Sequence, residues 1–250
     1  MFAAEHGVKM REPTQICRGF TDDQWRGLEK RLGTGDESAW SCAIEVFERR
    51  IRERFFACIE ALMDADSKLD VEVPPGASLD CSTLPNDDGK RVVVPGFAIM
   101  SLCCLLAETL QSFRESPGKP ADTAGPYTYP DGSCVKPVSS PSTNDQFKKF
   151  LRRPAFGGAF NDAKIAKKFV DGVRNGILHD AETRGWRIWR DEPLDQIVEP
   201  QAEGYALNRN EFYRALKGEF DSYLQDLRNP LNAQLRGSFV KKMSRVAEKC

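Results

Sequence analysis

The chain has 250 residues, 40% of them hydrophobic and 29% charged, with a formal net charge of -1. This composition suits a globular protein whose core needs no disulfide staples, built as one large domain or two small ones. The balanced charge excludes nucleic-acid binding driven by global charge, so any such binding needs a local basic patch.

The opening residues, MFAAEHGVKMREPTQ, hold no uninterrupted apolar run followed by a small-residue cleavage site, so no secretory signal is expected. Eight cysteines are scattered without a Cys-x-x-Cys pair, and His6 and His179 are the only histidines. That set disfavours a zinc site, and neither a metal nor another cofactor is expected. Cysteines in apolar helical runs act as small hydrophobes, and the pattern points to a reducing, cytoplasmic setting.

Thr21-Asp22-Asp23 marks a first helix, capped by Thr21 and ending near Gly33-Thr34-Gly35. A second start at Asp36-Glu37-Ser38 opens a long amphipathic helix to about Ala65. Its apolar stripe is Trp40, Ile44, Phe47, Ile51, Phe55, Ile59 and Met63. Residues 66–91, rich in Asp, Pro and Gly, predict a loop. Val92 to Ala107 is uncharged but too short to span a bilayer, carries Pro95 and Gly96, and is followed by Glu108. It predicts a buried core helix from about Gly96 to Phe113 and no membrane role.

Residues 116–143, dense in Pro, Gly, Ser and Thr, read as a long surface loop or a partly disordered segment. A short helix over Asn144 to Arg152 and a turn at Phe156-Gly157-Gly158 follow. Asn161 or Asp162 caps a helix carrying Ile165, Phe169, Val170, Val173, Ile177 and Leu178, which Gly185 interrupts. Trp186 to Arg190 alternates as a strand, with Gln196 to Glu199 or Tyr205 to Leu207 as hairpin partner. Asn208 or Asn210 starts a helix through Leu227, Pro230 breaks it, and Leu231 to Lys249 forms the last helix. The fold class is mainly α: a helical bundle with a small β-hairpin late in the chain, as a single domain over 1–250.

The segment with chemical potential is Arg174-Asn175-Gly176-Ile177-Leu178-His179. Five steps at about 100° each separate Arg174 and His179 by roughly 140° on an ideal helix, whereas Asn175 and His179 share a face. A local distortion, which Gly176 would make cheap, is the route by which arginine and histidine converge. An imidazole beside a guanidinium suits phosphate chemistry. The imidazole accepts a proton from a ribose 2′-hydroxyl or returns one to a leaving oxygen, and the guanidinium grips the phosphate. The bland alternatives are His179 as a helix C-terminal cation and Arg174 paired with Asp171 or Asp180 on a solvated face.

Arg174-Asn175-x-x-x-His179 resembles the signature of the HEPN superfamily, and VRNGILHDAETRGWRI is similar to a group of bacterial HEPN-like proteins. The resemblance implies a HEPN-like helical bundle that forms a homodimer, with the Arg and His of two protomers facing one composite cleft. It further implies a metal-independent endoribonuclease of toxin-antitoxin, phage-defence or RNA-processing systems, with an antitoxin or regulatory protein as a further partner. Arg174 then binds phosphate, His179 is the acid or base, and Asn175 orients. Inactive members of the family bind nucleotides, RNA or protein instead. Lys164, Lys167, Lys168 and Arg184 are the expected RNA-backbone contacts near the motif, and a solvated basic face is their other reading. Trp186 and Trp189 are candidates for base stacking, or for packing against the bundle.

Overall fold

The structure is a computed structural model that describes residues 12–67, 96–115, 142–190 and 196–249. In chain order it contains β1 (Gln15–Cys17), β2 (Phe20–Thr21), α1 (Asp22–Leu32) and α2 (Glu37–Ile51). A π-helical turn (Arg52–Phe56) leads into α3 (Ala57–Ser67), and α4 (Gly96–Arg114) and α5 (Thr143–Leu151) come next. After a 3-10 turn (Pro154–Phe156) come α6 (Ala163–Phe169), a second π turn (Val170–Arg174) and α7 (Asn175–Asp180). β3 (Trp186–Trp189), β4 (Val198–Gln201), β5 (Gly204–Asn208), α8 (Arg209–Arg228) and α9 (Ala233–Lys249) complete it. The loop expected after residue 67, the Pro/Ser-rich segment up to 141, and His6 lie outside the described residues.

The described residues divide into two compact units. The first takes those up to Glu53, residues 113–115 and those from Leu224 onward. Thr21 caps α1 through a reciprocal pair with Gln24, as the sequence suggests. Asp36 caps α2 by accepting from the Ser38 and Ala39 backbone N–H groups. Phe239 of α9 is the centre of this core, its ring 5.4 Å from Phe47 and 6.1 Å from both Trp40 and Phe113. Arg236 sits 4.4 Å over Trp40, donates to both Glu37 carboxylate oxygens, and caps the end of α8 through the Leu227 and Arg228 carbonyls. The β1–β2 pair has no counterpart in the sequence reading, because strands of this length carry too few residues to show alternation.

The second unit holds the remaining described residues. Here α4 is mostly interior: Ile99, Met100, Cys103, Leu106, Ala107 and Leu110 are all fully buried. The helix is long and apolar enough to cross a bilayer by composition, yet its burial is that of a core helix. Burial pushes the Cys103 thiol up to about 12 and raises the Cys104 thiol as well, so neither ionises near neutrality. The opening of α8 is fixed by a buried ion pair, Arg209 to Asp66 at 2.7 Å, and by Asn208, whose side chain accepts from the Asn210 and Glu211 N–H groups.

An aromatic cluster fills the rest of this unit. Phe169, the last residue of α6, contacts Phe147, Phe160, Phe212 and Trp186 at centroid distances of 6.1, 5.1, 5.4 and 5.4 Å. The small sheet runs in the order β3-β5-β4. The late hairpin is therefore β4 with β5, while β3 joins the other edge of β5 in parallel. β3 was expected as an arm of the hairpin. It is not one, because β4 reverses the chain between β3 and β5 and leaves those two pointing the same way.

The first π turn accounts for one departure from simple helical spacing. Along the 37–67 run, Ile51 is followed in the core by Phe56 and not by the expected Phe55. One extra residue in the Arg52–Phe56 turn advances the buried stripe by one position. On the later helix, Val170, Val173 and Ile177 are buried but Leu178 is 37% exposed, although the sequence places it facing the core.

Two outcomes test this account. Phe169→Ala should cost about 3–5 kcal/mol of stability in urea unfolding, and Phe169→Leu clearly less. Hydrogen bonds from Ser38 and Arg31, with the Ala39 N–H, hold the Asp36 carboxyl well below its ordinary range. Its stabilisation is therefore complete above about pH 4 and is lost as pH falls through the lowered folded value. Asp36→Asn keeps a capping acceptor that does not titrate, so it should lose less stability than the wild type between about pH 6 and about pH 2. Equal losses would remove Asp36 as the source.

Candidate functional site

The segment from 163 to 180 starts where Asp162 accepts from the Lys164 N–H, choosing Asp162 over Asn161 as the cap. It ends at Asp180, before Gly185, because Ala181 turns left-handed at φ 53° and the Glu182 N–H returns to the Gly176 carbonyl. The next residues fold back along the helix: the Arg184 N–H donates to the Gly172 carbonyl at 3.2 Å. This approach requires bare backbone at two positions one turn apart. A Cβ on Gly172 would lie 2.6 Å from the Arg184 carbonyl oxygen, and one on Gly176 would lie 2.4 Å from that of Glu182.

Gly176 thus has a different reason from the one the sequence suggested. The distortion of this helix is the π turn at Val170–Arg174, which precedes Gly176, and Asn175–Asp180 is regular α-helix. No irregularity between Arg174 and His179 brings them to one face.

Arg174 is held on two sides. Its Nε donates to Glu108 at 2.6 Å and its Nη1 to the Asn175 side-chain oxygen at 2.7 Å. The arginine side chain is 16% exposed and that of Glu108 19%. Neither Asp171 nor Asp180 is its partner; those carboxylates pair with Lys167 and Arg184 respectively. Glu108 is the residue that sequence reasoning missed. The signal was present: it is the single charged side chain between Val92 and Phe113, and a lone acid in an apolar run needs a cation if it is buried. His179 stands exposed in the last turn of α7, with no hydrogen bond or ion pair among the described residues.

The expected backbone contacts do not form one free basic patch. Lys167 and Arg184 are each in an i,i+4 ion pair. Lys168 lies 5.0 Å over the Tyr205 ring, and Lys164 is exposed at the start of α6. Upstream, Lys148 pairs with Asp145, and Arg153 with the buried Glu219. Trp186 is packed, its indole N–H donating to the Lys168 carbonyl at 3.2 Å, while Trp189 is 40% exposed. Among the described residues no group of three or more His, Cys, Asp or Glu side chains could hold a metal ion.

The glycine packing predicts an asymmetry between two helical glycines. Gly176→Ala should destabilise by about 1–3 kcal/mol in urea unfolding through overpacking. Gly27→Ala in α1, where a Cβ meets nothing within 4 Å, should be neutral or stabilising. The same sign for both would contradict the close approach of residues 182–184.

No family model, curated protein or solved structure matches this chain.

Proposed function

We propose that the chain is a metal-independent endoribonuclease of the HEPN type, acting in the cytoplasm as a homodimer. The observation that carries this reading is the immobilised guanidinium of Arg174. Glu108 accepts from its Nε and Asn175 from its Nη1, the side chain keeps 16% of its surface exposed, and an exposed imidazole stands further along the same helix. A guanidinium held in advance loses little freedom when a phosphate arrives.

In this reading His179 takes the proton of a ribose 2′-hydroxyl. The 2′-oxygen bonds to the adjacent phosphorus, the bond to the 5′-oxygen breaks, and that oxygen leaves with a proton from a second imidazole. The products are a cyclic 2′,3′-phosphate and a free 5′-hydroxyl, so atoms and charge balance without a metal. Arg174 and His179 of one copy point to different sides of their helix, so the reading assigns the second imidazole to a second copy of the chain. Leu178, one turn beyond Arg174, and Leu105, nearly one turn before Glu108, are exposed apolar side chains beside this site that a partner would cover. A toxin-antitoxin or phage-defence role, with an antitoxin or regulatory protein as partner, belongs to the same reading.

One observation favours a second reading. Glu108 neutralises Arg174, as it would in a purely structural ion pair, and the chain would then be a non-catalytic module that binds RNA, nucleotide or protein. The two separate in one assay. Purified protein incubated with mixed RNA in EDTA should cleave it to cyclic-phosphate ends, and His179→Ala and Arg174→Ala should each lower the rate at least about 100-fold. Cleavage that both variants retain removes the assigned roles, and loss of cleavage in EDTA removes the metal-free chemistry. Binding without cleavage that survives His179→Ala establishes the second reading.

A further inference from the structure

We infer that a cleft between the 163–180 helix and the β3–β5 edge is a phosphate-binding site, centred on Lys168 and Tyr205 and separate from the Arg174–His179 centre. The cleft has a volume of about 270 Å³. One wall is the helix, at Lys168, Gly172 and Asp171, whose carboxylate is held by Lys167, and the other is the turn at Arg184 and the start of β5 at Gly204 and Tyr205. Its base is aromatic: the rings of Trp186 and Tyr205 stack at 4.8 Å with an interplanar angle of 24°.

The charge arrangement points to an anion. Asp171 is already paired with Lys167 and Arg184 with Asp180, but Lys168 has no carboxylate among the described residues. Its ammonium rests 5.0 Å from the Tyr205 ring centroid and 3.5 Å from the Tyr205 hydroxyl. Ammonium and phenol together offer several donor hydrogens over one small area. The indole N–H of Trp186 is already committed to the Lys168 carbonyl, so it adds rigidity and no donor. Arg184 adds a third group: its pair with Asp180 is on the surface, where such pairs are weak, so an incoming anion can recruit it.

A phosphate suits this set better than a carboxylate. It presents more acceptor oxygens and more charge, and the three donors approach from both walls, Lys168 from one and Arg184 and Tyr205 from the other. The volume sits just below the usual range of about 300–1,000 Å³ for small-molecule pockets, so the cleft takes one phosphorylated unit and not an extended ligand. The backbone fixes this shape. Gly204 has φ +92°, and a Cβ there would lie 2.1 Å from the Gly185 carbonyl oxygen, which itself accepts the Tyr205 N–H. The phosphate has two possible sources, a free mononucleotide or the backbone of a single strand. The inference does not depend on cleavage by His179.

The test is isothermal titration of the full chain with three probes. These are inorganic phosphate, uridine monophosphate, and a single-stranded oligodeoxyribonucleotide, which lacks the 2′-hydroxyl and survives the proposed chemistry. At least one should bind saturably. Tyr205→Phe keeps the ring stack and removes one donor, and Lys168→Met keeps the stem and removes the charge; each should weaken binding about tenfold. Loss in Tyr205→Phe with binding that persists in Arg174→Gln, which removes the phosphate-gripping guanidinium of the proposed catalytic centre, separates the two sites, so either can fail alone. Tighter binding of the oligomer assigns the phosphate to a strand, and equal or tighter binding of the mononucleotide assigns it to a free ligand. The inference is overturned if no probe binds at millimolar concentration, or if Tyr205→Phe binds as the wild type does. Tyr205→Phe decides the matter even if Lys168→Met fails to fold.

Discussion

The backbone packing of residues 182–184 against Gly172 and Gly176 governs this region of the chain. Two helical positions without side chains let a loop lie directly on the helix, and the loop's N–H groups find the Gly172 and Gly176 carbonyls. Three features follow. The helix must stop at Asp180, which leaves His179 in its exposed last turn. The chain leaves the loop in the direction that makes β3 a parallel neighbour of β5. Trp186 reaches the Lys168 carbonyl and sits against Phe169, which ties the site-bearing helix to the aromatic core.

The electrostatics of the same region run on pairing at short range. Lys148, Lys167 and Arg184 each pair with a carboxylate three or four residues away, in surface contacts that contribute little to stability, whereas Lys164 and Lys168 have no carboxylate among the described residues. Two arginines differ. Arg209 is buried against Asp66, and Arg174 is mostly buried against Glu108. Removing one partner of such a pair leaves a desolvated charge, which costs about 3–5 kcal/mol. For Arg209 the pair anchors the start of α8 and has no further evident use. Both arginines also donate to the side-chain oxygen of the next residue, Arg209 to Asn210 at 3.4 Å and Arg174 to Asn175 at 2.7 Å, and the shorter bond holds the plane of the Arg174 guanidinium more tightly.

Much of this was legible in the sequence, and the limits have physical causes. The helix starts were readable because capping is local: Thr21, Asp36 and Asp162 each act within three residues. The apolar helix at 96–114 was readable from composition alone. The π turns were not, since an extra residue changes no propensity and shows only as a slip from Phe55 to Phe56 in the buried stripe. The partner of β3 was also hidden, because strand order depends on which edge remains free after β4 and β5 pair. Glu108 and Arg174 are 66 residues apart in sequence. Only the contrast of one acid with an apolar run hinted that Glu108 would need a cation. At the cleft, Tyr205 was visible as a strand residue, but its contact with Lys168 belongs to the fold.

The regular α-helix between Asn175 and Asp180 bears directly on the proposed chemistry. With no distortion after Arg174, five residues place the guanidinium and imidazole roughly 140° apart around the axis. A single copy therefore cannot close both groups on one phosphate by side-chain rotation alone without giving up the Glu108 and Asn175 contacts that hold the arginine. Keeping those contacts and still joining the groups requires a second helix to bring its own imidazole to the arginine. In the proposed reaction the rigidity of Arg174 and the assignment of a second copy are thus one argument: the better the guanidinium is fixed in its own chain, the more completely that reaction would depend on pairing.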